Sequence, residues 1–485
     1  MHKEMKIEKL TIAHISDLHR SPDRPITNTA LLGSLLRDLD SYATEGIAKP
    51  DLLIVSGDLV HGGNDEAESR GQYSEAFDFL CKVTDELFNG DRSKVVLVPG
   101  NHDVSWAISN ESMEKIEETE IADTNGDLKK EILLQINKAY AGIKWSWRDR
   151  SFYRVSEKAI YNARLVYFAE MYQDFYGGQR TYSLEPDSQL EIFDYEEFGI
   201  TIVGFNSCFN NDHLNRAGSI NPECIAKAGM ELRGLKKRGR LIMSTWHHNT
   251  KGGPYDQDYM EDTFLRTLIS DGVKFAFHGH QHRKEVIRLE SNIIDQERIF
   301  ILSAGSLCAG PSELPSGHSP QYNIIELSRT NDEKIHFKLF SREKIPESPF
   351  DNPVWCAGVF GTSATNYSDT IEHKRPPDTG LSQAEKFVGE RRYREAIELL
   401  ENIDLEDPLV RMLLLECYLQ EDNYSAILRA FIDPKNNAEC VALINSGLAA
   451  GNNQDVEKIL NIASIEEAQD HSIIHLREQL KGKRK

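Results

Sequence analysis

The residues of this sequence that could do chemistry are carboxylate, amide and imidazole side chains that follow short apolar runs. Seven such side chains recur in this position: Asp17, His19, Asp58, Asn101, His247, His280 and His282. Oxygen ligands suit magnesium and manganese, whereas imidazole suits zinc, iron and nickel. A mixed oxygen and nitrogen set without a thiolate therefore predicts a site for hard or borderline divalent metals.

Taken singly, each of these residues has an ordinary structural explanation. An aspartate after a strand is a common turn or helix-cap residue, and a histidine there can simply be a hydrogen-bonded polar group. The joint pattern is different, because five separate strand ends would each have to acquire a ligand type by chance. We therefore favour one common site over independent structural roles.

The apolar runs predict buried β-strands that carry these groups to one edge of a sheet. The runs cover residues 10–16, 51–57, 94–100, 199–207, 240–246, 273–279 and 298–305, followed by an antiparallel pair at 322–327 and 334–340. Amphipathic helices are expected at 29–45 and 74–88. Alternating strands and helices indicate an α/β core, and ligands in open α/β sheets bind outside the carboxyl ends of the strands.

Three further stretches suggest how the chain is divided. Residues 104–195 are charged and strongly aromatic, and we expect them to form a cap inserted into a catalytic domain that spans 1–345. Residues 346–380 are expected to be a linker, because 362–380 are polar, contain two prolines and lack periodicity. Residues 381–485 have helical patterns and predict an all-α C-terminal domain.

The C-terminal helices resemble a degenerate repeat array. The similar segments that begin at Tyr393 and Tyr424 lie about 31 residues apart, close to the ~34-residue period of tetratricopeptide repeats. An irregular helical bundle is the alternative interpretation. In either form we expect residues 381–485 to bind a protein partner or to support self-association.

Composition narrows the class of protein. The net charge of −21 repels polyanions at long range, which argues against indiscriminate nucleic-acid binding but leaves a local basic groove open. Seven dispersed cysteines without a CxxC pair argue against a disulfide framework and cysteine-bound zinc. Because the sequence has neither a membrane-length apolar run nor an N-terminal secretory signal, we expect a cytoplasmic protein without a membrane anchor.

The order of the polar blocks resembles that of the calcineurin-like metallophosphoesterases, in particular the bacterial phosphodiesterases of that family. The blocks are Asp17-Leu18-His19, Gly57-Asp58-Leu59, Gly100-Asn101-His102-Asp103, His247-His248 and Gly279-His280-Gln281-His282. They lie between residue 11 and about residue 340, so the C-terminal region is outside the resemblance. The family implies a double β-sandwich flanked by helices, with two divalent metal ions per chain. Manganese is favoured, with iron, zinc or nickel as alternatives.

The resemblance also implies a role for each residue of the blocks. The first metal would be bound by Asp17, His19 and His282, the second by Asn101, His247 and His280, and both by Asp58. His102 resembles the family's non-ligand histidine, which stabilises or protonates the leaving oxygen. Asp103 would orient His102 by accepting a hydrogen bond from it.

Other residues are candidates for substrate contact. Many diesterase members have a proline after the paired histidines, where this chain has Asn249, so His248 could support the site or touch substrate. His213 and Arg216 follow the fourth predicted strand and could form a recognition loop, since loops at strand ends carry function. His61, after the Asp58 turn, could reach a phosphate or be a solvated loop residue.

Together these features predict a two-metal hydrolase of phosphoester bonds. A phosphodiesterase acting on a nucleotide, cyclic nucleotide or nucleic acid is favoured, because blocks 14–19 and 99–104 resemble bacterial cyclic-nucleotide phosphodiesterases. A phosphomonoesterase or protein phosphatase is an alternative. A nuclease effector regulated through the C-terminal helices, with a role in phage defence, is another. Residues 144–154 combine Lys, Arg and aromatics as nucleic-acid grooves do, although such a stretch is more often an aromatic patch packed under its own domain.

Overall fold

The computed structural model describes residues 7, 9–23, 26–123, 130, 132, 142–250, 260, 262–290, 298–329, 334–361, 363–373, 379–403, 405 and 407–483. The chain divides into two compact units, Met1–Arg375 and Pro376–Lys485. None of the described helices combines the length and the apolar composition needed to cross a lipid bilayer.

The strands of the first unit form two large sheets and one small sheet. Numbered along the chain, they are β1 (Lys9–Ile15), β2 (Leu52–Ser56), β3 (Val95–Val98), β4 (Met113–Lys115), β5 (Ile143–Ser146), β6 (Ser151–Val155), β7 (Leu190–Tyr195), β8 (Ile200–Phe205), β9 (Leu241–Thr245), β10 (Val273–His278), β11 (Lys284–Glu290), β12 (Arg298–Ala304), β13 (Gln321–Arg329), β14 (Lys334–Lys344), β15 (Trp355–Ala357) and β16 (Tyr367–Glu372). Every run predicted as a strand forms one, and the expected antiparallel pair is β13 with β14.

The two large sheets differ in strand order. The first has the order β15-β14-β13-β1-β2-β3, with β16 paired to β14, and the second has the order β11-β12-β10-β9-β8-β7. The small sheet has the order β4-β6-β5. Strands β1, β2 and β3 run parallel to one another, as do β8, β9 and β10, so their carboxyl ends share one edge within each sheet.

The described helices of the first unit flank these sheets. They are α1 (Asn28–Glu45), α2 (Glu66–Phe88), α3 (Trp106–Glu111), α4 (Glu118–Asp123), α5 (Lys158–Asn162), α6 (Val166–Phe175), α7 (Pro222–Lys237) and α8 (Thr263–Ser270). Helix α1 matches its predicted span, whereas α2 begins eight residues before its predicted start. The cause is Asp65, whose side chain accepts a hydrogen bond from the Glu68 N–H and caps the helix.

The core of the first unit lies between the two large sheets. Along β12, Phe300 and Leu302 belong to the apolar cluster shared with the first sheet, whereas Ile299 and Ile301 face the cluster that includes α7 and α8. This alternation follows the two-residue period of a strand. Phe337 of β14 has its ring centroid 4.7 Å from that of Phe300, which shows the contact between the sheets. The predicted double β-sandwich flanked by helices is confirmed.

The stretch 104–195 differs from a simple inserted cap. Its middle part supplies the small sheet β4-β6-β5, but its second half belongs to the main core. Helix α6 buries Phe168, Tyr172 and Phe175 there, and β7 is an edge strand of the second sheet. Aromatic side chains bury large apolar areas when they pack, so this part of the aromatic sequence is a core element.

The segment 346–380 is not a free linker over most of its length. Strands β15 and β16 pair with β14 and extend the first sheet. The Trp355 indole N–H donates to Ser34 Oγ at 2.9 Å, and the Ile371 side chain is buried. Strands at a sheet edge expose one face and can therefore be rich in polar residues, which is why the composition of this segment resembled that of a linker.

The second unit is helical, as predicted. Its helices are α9 (Thr379–Gly389), α10 (Tyr393–Leu400), α11 (Pro408–Gln420), α12 (Tyr424–Ala430), α13 (Asn437–Ala450), α14 (Asn453–Leu460), α15 (Ala463–Glu466) and α16 (His471–Lys483). The turns before α10 and α12 each contain one residue in the left-handed conformation, Arg391 and Asp422. The similarity of these two turns is consistent with a repeat, but the tetratricopeptide-like array stays a prediction.

We expect a chain that ends at Arg375 to fold and bind metal, and one that ends at Gly361 to be less stable. The shorter chain loses β16, which pairs with β14 from Lys334 to Leu339, and loses the buried Ile371. Burying one isoleucine is worth about 1.5–3 kcal/mol. Thermal unfolding and metal content of the two truncated proteins measure the difference, and equal melting temperatures would contradict a structural role for β16.

Candidate metal centre

The seven predicted ligands lie at one edge of the sandwich. Each follows the carboxyl end of a strand: Asp17 and His19 follow β1, Asp58 follows β2, Asn101 follows β3, His247 follows β9, and His280 and His282 follow β10. These strands come from both large sheets. The ligands therefore meet only because the two sheets pack with the carboxyl ends of their parallel strands at the same edge.

Three of these side chains form a first ligand group. Asp17 Oδ1 lies 3.0 Å from His282 Nε2, and His19 Nε2 lies 3.3 Å from His282 Nε2 and 3.9 Å from Asp17 Oδ1. Two donors bound to one divalent ion at about 2.0–2.3 Å are separated by similar distances. Asp17 Oδ1 is buried, and the contacts described for it are with these two imidazoles, so an ion bound between the three donors would replace those contacts.

A second group is built in the same way. Asn101 Oδ1 lies 3.0 Å from His247 Nε2 and 2.8 Å from His280 Nδ1, and these two ring nitrogens are 3.2 Å apart. The three donor atoms thus surround one point. His280 presents Nδ1 to this point, whereas His247 presents Nε2.

Asp58 lies between the two groups. Its Oδ2 atom is 3.2 Å from His247 Nε2 and 3.9 Å from His19 Nε2. Its other oxygen, Oδ1, accepts a hydrogen bond from the His102 backbone N–H at 2.8 Å. This placement agrees with the bridging role that the resemblance implied for Asp58.

Five of the seven ligands have the left-handed backbone conformation, which is uncommon outside glycine. The φ angles are 52° for Asp17, 43° for His19, 52° for Asp58, 71° for His280 and 53° for His282. Each such residue costs of order 1–3 kcal/mol and persists where the surrounding structure imposes it, most often at functional sites. The strained backbone conformations at this edge thus orient the ligand side chains toward each other.

Two glycines of the blocks are required by close packing around the ligands. A Cβ atom on Gly100 would lie 2.3 Å from the Asp58 backbone nitrogen, and one on Gly279 would lie 1.8 Å from Ser16 Oγ. No side chain fits at such distances. The glycines therefore allow the backbone of one block to pass directly beside the ligand of another.

Backbone carbonyls orient two of the ligand rings. His247 Nδ1 lies 2.8 Å from the Ser56 carbonyl oxygen, and His282 Nδ1 lies 2.8 Å from the Glu313 carbonyl oxygen. When such a ring is neutral and its Nδ1–H donates to the carbonyl, Nε2 carries no proton and can bind a metal. Such partners fix the tautomer and the ring orientation of metal-binding histidines.

The charges of the site also fit divalent cations. Burial opposes ionisation of Asp17, but His282 holds its pKa at about 2, and His247 holds the pKa of Asp58 well below its usual range. Burial likewise disfavours the charged histidines, yet Asp58 raises the pKa of His247 to about 9 and Asp17 raises that of His282 to about 8. The two buried carboxylates thus attract protons to neighbouring imidazoles, and metal ions would replace these protons.

Metal binding should therefore release protons in a pH-dependent manner. Because the pKa values of His247 and His282 lie above 7, both rings are protonated at neutral pH in metal-free protein, and metal displaces both protons. We expect a release of about two protons per chain at pH 7, falling as the pH rises through 8 and 9. Titration of metal-free protein with Mn²⁺ in weak buffer with a pH indicator measures this release. A release that does not change with pH would show that these two imidazoles are not both protonated in the metal-free protein.

The structure corrects the role given to Asp103. The hydrogen bonds described for the Asp103 carboxylate come from the Gly100 and Leu59 N–H groups and the Tyr73 hydroxyl, and none comes from the His102 ring. Burial raises the pKa of Asp103 to about 7. Through these hydrogen bonds, Asp103 stabilises the turn that carries Asn101. Sequence adjacency suggested contact with His102, but the short 3-10 turn directs the two side chains to different partners.

His102 is oriented instead by the backbone of a neighbouring loop. Its Nδ1 lies 2.5 Å from the His61 carbonyl oxygen, and its ring centroid is 4.8 Å from that of His19. Nε2 of His102 is thus free of this hydrogen bond, and the residue lines the same cleft as Asp58. This geometry suits a group that exchanges a proton with a bound substrate, as the resemblance implied.

Two of the predicted substrate contacts lie outside the cleft. His248 is fully buried, its Nδ1 is 2.9 Å from Ser207 Oγ, and its ring centroid is 4.6 Å from that of His280. His213 is half-buried and hydrogen-bonded through Nδ1 to Ser109 Oγ. Neither histidine is part of the described cleft wall, and their contact with substrate stays a prediction. The residues after Thr250, 251–259, lie outside the described part of the chain.

Arg216 is the third residue predicted to contact substrate, and this role stays a prediction. It lines a cleft of about 210 Å³ whose walls are Asp58, Asn101, His102, Trp106, Arg216, His280 and His282. Among the described residues of this wall it is the only lysine or arginine. The cleft wall therefore places the positively charged guanidinium group of Arg216 beside residues of both ligand groups.

Sequence reasoning missed two residues near the metal centre. Glu313 orients His282 through its backbone carbonyl, and its carboxylate lies 3.1 Å from His61 Nε2. Trp106 lines the cleft although its side chain is apolar. No local signal marks Glu313, because its contact uses the backbone. Trp106 could have been found, since it follows His102 by only four residues.

Comparison with known proteins identifies the class that this fold and site define. The calcineurin-like phosphoesterase family profile matches residues 10–284, which is more than half of the chain. The chain therefore belongs to the calcineurin-like phosphoesterase family. It is a metal-dependent phosphoesterase with a centre for two metal ions.

Further comparisons give distant similarities. The chain resembles the structure of a dimetal phosphatase from Danio rerio, with 12% identity, a TM-score of 0.38 and coverage of 75% of this chain and 99% of the other. It also resembles the calcineurin-like phosphoesterase YfkN from Bacillus subtilis, with 9% identity, a TM-score of 0.26 and coverage of 81% and 99%. No curated protein matches the chain. The family assignment therefore depends on the match over residues 10–284.

Proposed function

We propose that this protein is a phosphodiesterase whose substrate is a nucleotide, a cyclic nucleotide or a nucleic acid. The observation that carries the proposal is Arg216, the one arginine among the described residues of the cleft wall. Arg216 is exposed and makes no ion pair with any described residue. Its charge matches the single negative charge of a phosphodiester, whereas a phosphomonoester carries about −1.5 to −2 at neutral pH.

The metal ligands and His102 would have separate roles in hydrolysis. Asp17, His19, His282, Asn101, His247, His280 and Asp58 would hold divalent ions, which would supply activated water and neutralise charge on the phosphoryl oxygens. Arg216 binds the diester anion and orients it in the cleft. His102, held through Nδ1 by the His61 carbonyl, gives a proton from Nε2 to the leaving oxygen.

We further propose manganese as the native metal. The donor set of carboxylate, amide and imidazole also admits iron, zinc and nickel. Metal analysis of protein purified without added metal distinguishes these ions. Recovery of zinc with full activity would contradict the manganese proposal while leaving the phosphodiesterase proposal intact.

An activity panel in Mn²⁺ tests the proposed function. It compares p-nitrophenyl phosphate, bis-p-nitrophenyl phosphate, cyclic mononucleotides, single-stranded DNA and RNA under one condition. We expect higher kcat/KM on the diesters than on the monoester. Preference for p-nitrophenyl phosphate would favour the phosphomonoesterase alternative, and cleavage of polynucleotides without cleavage of cyclic mononucleotides would favour a nuclease.

A further inference from the structure

We propose that Trp106 and Arg216 form a subsite that stacks one base of a nucleotide diester beside the metal centre. The inference rests on the proposed phosphodiesterase function and narrows its substrate class. Trp106 provides the stacking surface, and Arg216 provides the charge that holds the adjoining phosphate. Neither residue belongs to the polar blocks of the family.

The two side chains already contact each other at the cleft. The Arg216 guanidinium carbon lies 5.2 Å from the centroid of the Trp106 ring. Trp106 is 42% exposed, so part of its indole remains open to solvent beside the ligand groups. Aromatic side chains combined with arginine are the usual surface for stacking nucleic-acid bases, and such stacking tolerates any base.

Trp106 is fixed relative to the metal ligands. It begins α3 directly after Ser105, whose side chain caps the helix by accepting from the Ile108 N–H. The Ser105 N–H in turn donates to the Arg164 carbonyl oxygen at 2.9 Å. Because Asn101 and Trp106 are only five residues apart, the indole is held close to the metal centre.

The loop that carries Arg216 is anchored from the inserted region. Asp212 in this loop pairs with Lys144 of β5 at 3.1 Å and accepts from the Tyr161 hydroxyl of α5 at 2.8 Å. The Arg164 side chain donates to the backbone carbonyl of Asn211 at 3.1 Å. Lys144 and Asp212 are both buried, and breaking a buried pair is costly. The aromatic and basic stretch 144–154 thus supports the loop through Lys144.

The same loop packs against the side chain of His248. A Cβ atom on Gly218 would lie 2.4 Å from His248 Cγ, so the loop backbone rests directly on the imidazole. His248 is in turn held by Ser207 at the start of the loop. His248 is therefore a positioning residue: it acts through the loop that presents Arg216, and it also packs against the ligand His280.

Dinucleotides with and without bases provide the test. The substrates are thymidylyl-thymidine and the same sugar–phosphate backbone with one thymine or both replaced by hydrogen, so the scissile bond and leaving alcohol stay constant. For Trp106→Ala we expect kcat/KM to fall by about 10- to 100-fold on the base-containing dinucleotide, mainly through KM. On the fully abasic compound we expect a change of less than about twofold, and Trp106→Phe should recover most of the loss.

Trp147→Ala is the matched control. Trp147 is 76% exposed, lies in the β5–β6 turn and is not part of the cleft wall. It should leave kcat/KM unchanged on every substrate. Metal content and melting temperature of each variant show whether the fold and the metal centre are retained.

The possible outcomes distinguish failure of the proposed subsite from failure of the proposed function. Equal losses on base-containing and abasic substrates in Trp106→Ala would overturn the subsite, because the indole would then only shape the cleft. Equal cleavage of both substrates by wild-type protein, with no loss in Trp106→Ala, would also overturn it while the phosphodiesterase proposal stands. If wild-type protein cleaves p-nitrophenyl phosphate but none of the dinucleotides and no cyclic mononucleotide, the proposed function fails and the subsite fails with it; cleavage of cyclic mononucleotides but of none of the dinucleotides would overturn the subsite alone.

Discussion

Asp58→Asn should remove most of the activity and much of the bound metal while leaving the fold intact. The substitution keeps the shape of the side chain but removes the charge that faces both ligand groups, 3.2 Å from His247 Nε2 and 3.9 Å from His19 Nε2. Removing a residue that merely supports a ligand costs about 10- to 100-fold in affinity or activity. The loss at Asp58 should exceed this, and it should exceed the loss in His247→Ala or His19→Ala.

The matched control is Asp51→Asn at the opposite end of β2. Asp51 also carries a carboxylate, but its Oδ2 accepts a hydrogen bond from the Thr11 N–H, away from the ligands. Metal content by elemental analysis, rate and melting temperature should be compared for both variants. Wild-type metal content and rate in Asp58→Asn would show that the bridge is assigned to the wrong residue.

His102→Ala should keep both metals and slow turnover by about 10²–10⁴-fold on substrates with a poor leaving group. The reason is that an alkoxide leaving from a nucleoside needs a proton, whereas p-nitrophenolate leaves readily without one. The variant should therefore be much less impaired on bis-p-nitrophenyl phosphate than on a dinucleotide. Comparison of kcat on these two substrates measures the effect.

His61→Ala serves as the control for His102. The contact that orients His102 is made by the His61 backbone carbonyl, which the substitution preserves. The imidazole of His61 contacts Glu313 and is not part of the cleft wall, so its removal should have a small effect. Equal impairment of His102→Ala on both substrates would indicate positioning of the substrate, and loss of metal would place His102 among the ligands, since its ring nitrogen also lies near His19 and Asp58.

Most of the metal centre could be predicted from the sequence because each ligand block combines two local signals. A buried strand is visible as an apolar run, and the ligand follows within a few residues of its end, as Asp58 follows β2 and Asn101 follows β3. Because each ligand is only a few residues from its strand, it lies near the end of that strand whatever the rest of the fold is. The same reasoning predicted β13 and β14, whose strong apolar pattern needs no knowledge of their partners.

The sequence prediction was wrong for two segments whose composition does not match the contacts that they make in the folded structure. The polar segment with β15 and β16 resembled a linker, because edge strands need few apolar residues. The aromatic segment with α6 resembled a cap, because composition does not reveal which surface an aromatic side chain packs against. In both cases the deciding contacts are with residues far away in the chain.

The sequence by itself therefore determined the ligand types, their order and the strands that carry them. Only the tertiary structure decided which groups meet: that Asp58 faces both ligand groups, that His102 is held by the His61 carbonyl instead of Asp103, and that His248 lies beneath a loop. Backbone carbonyls carry no residue-type signal, and a side chain one position away can point to an unrelated partner. Such contacts depend on how two sheets and their loops pack, which no local spacing encodes.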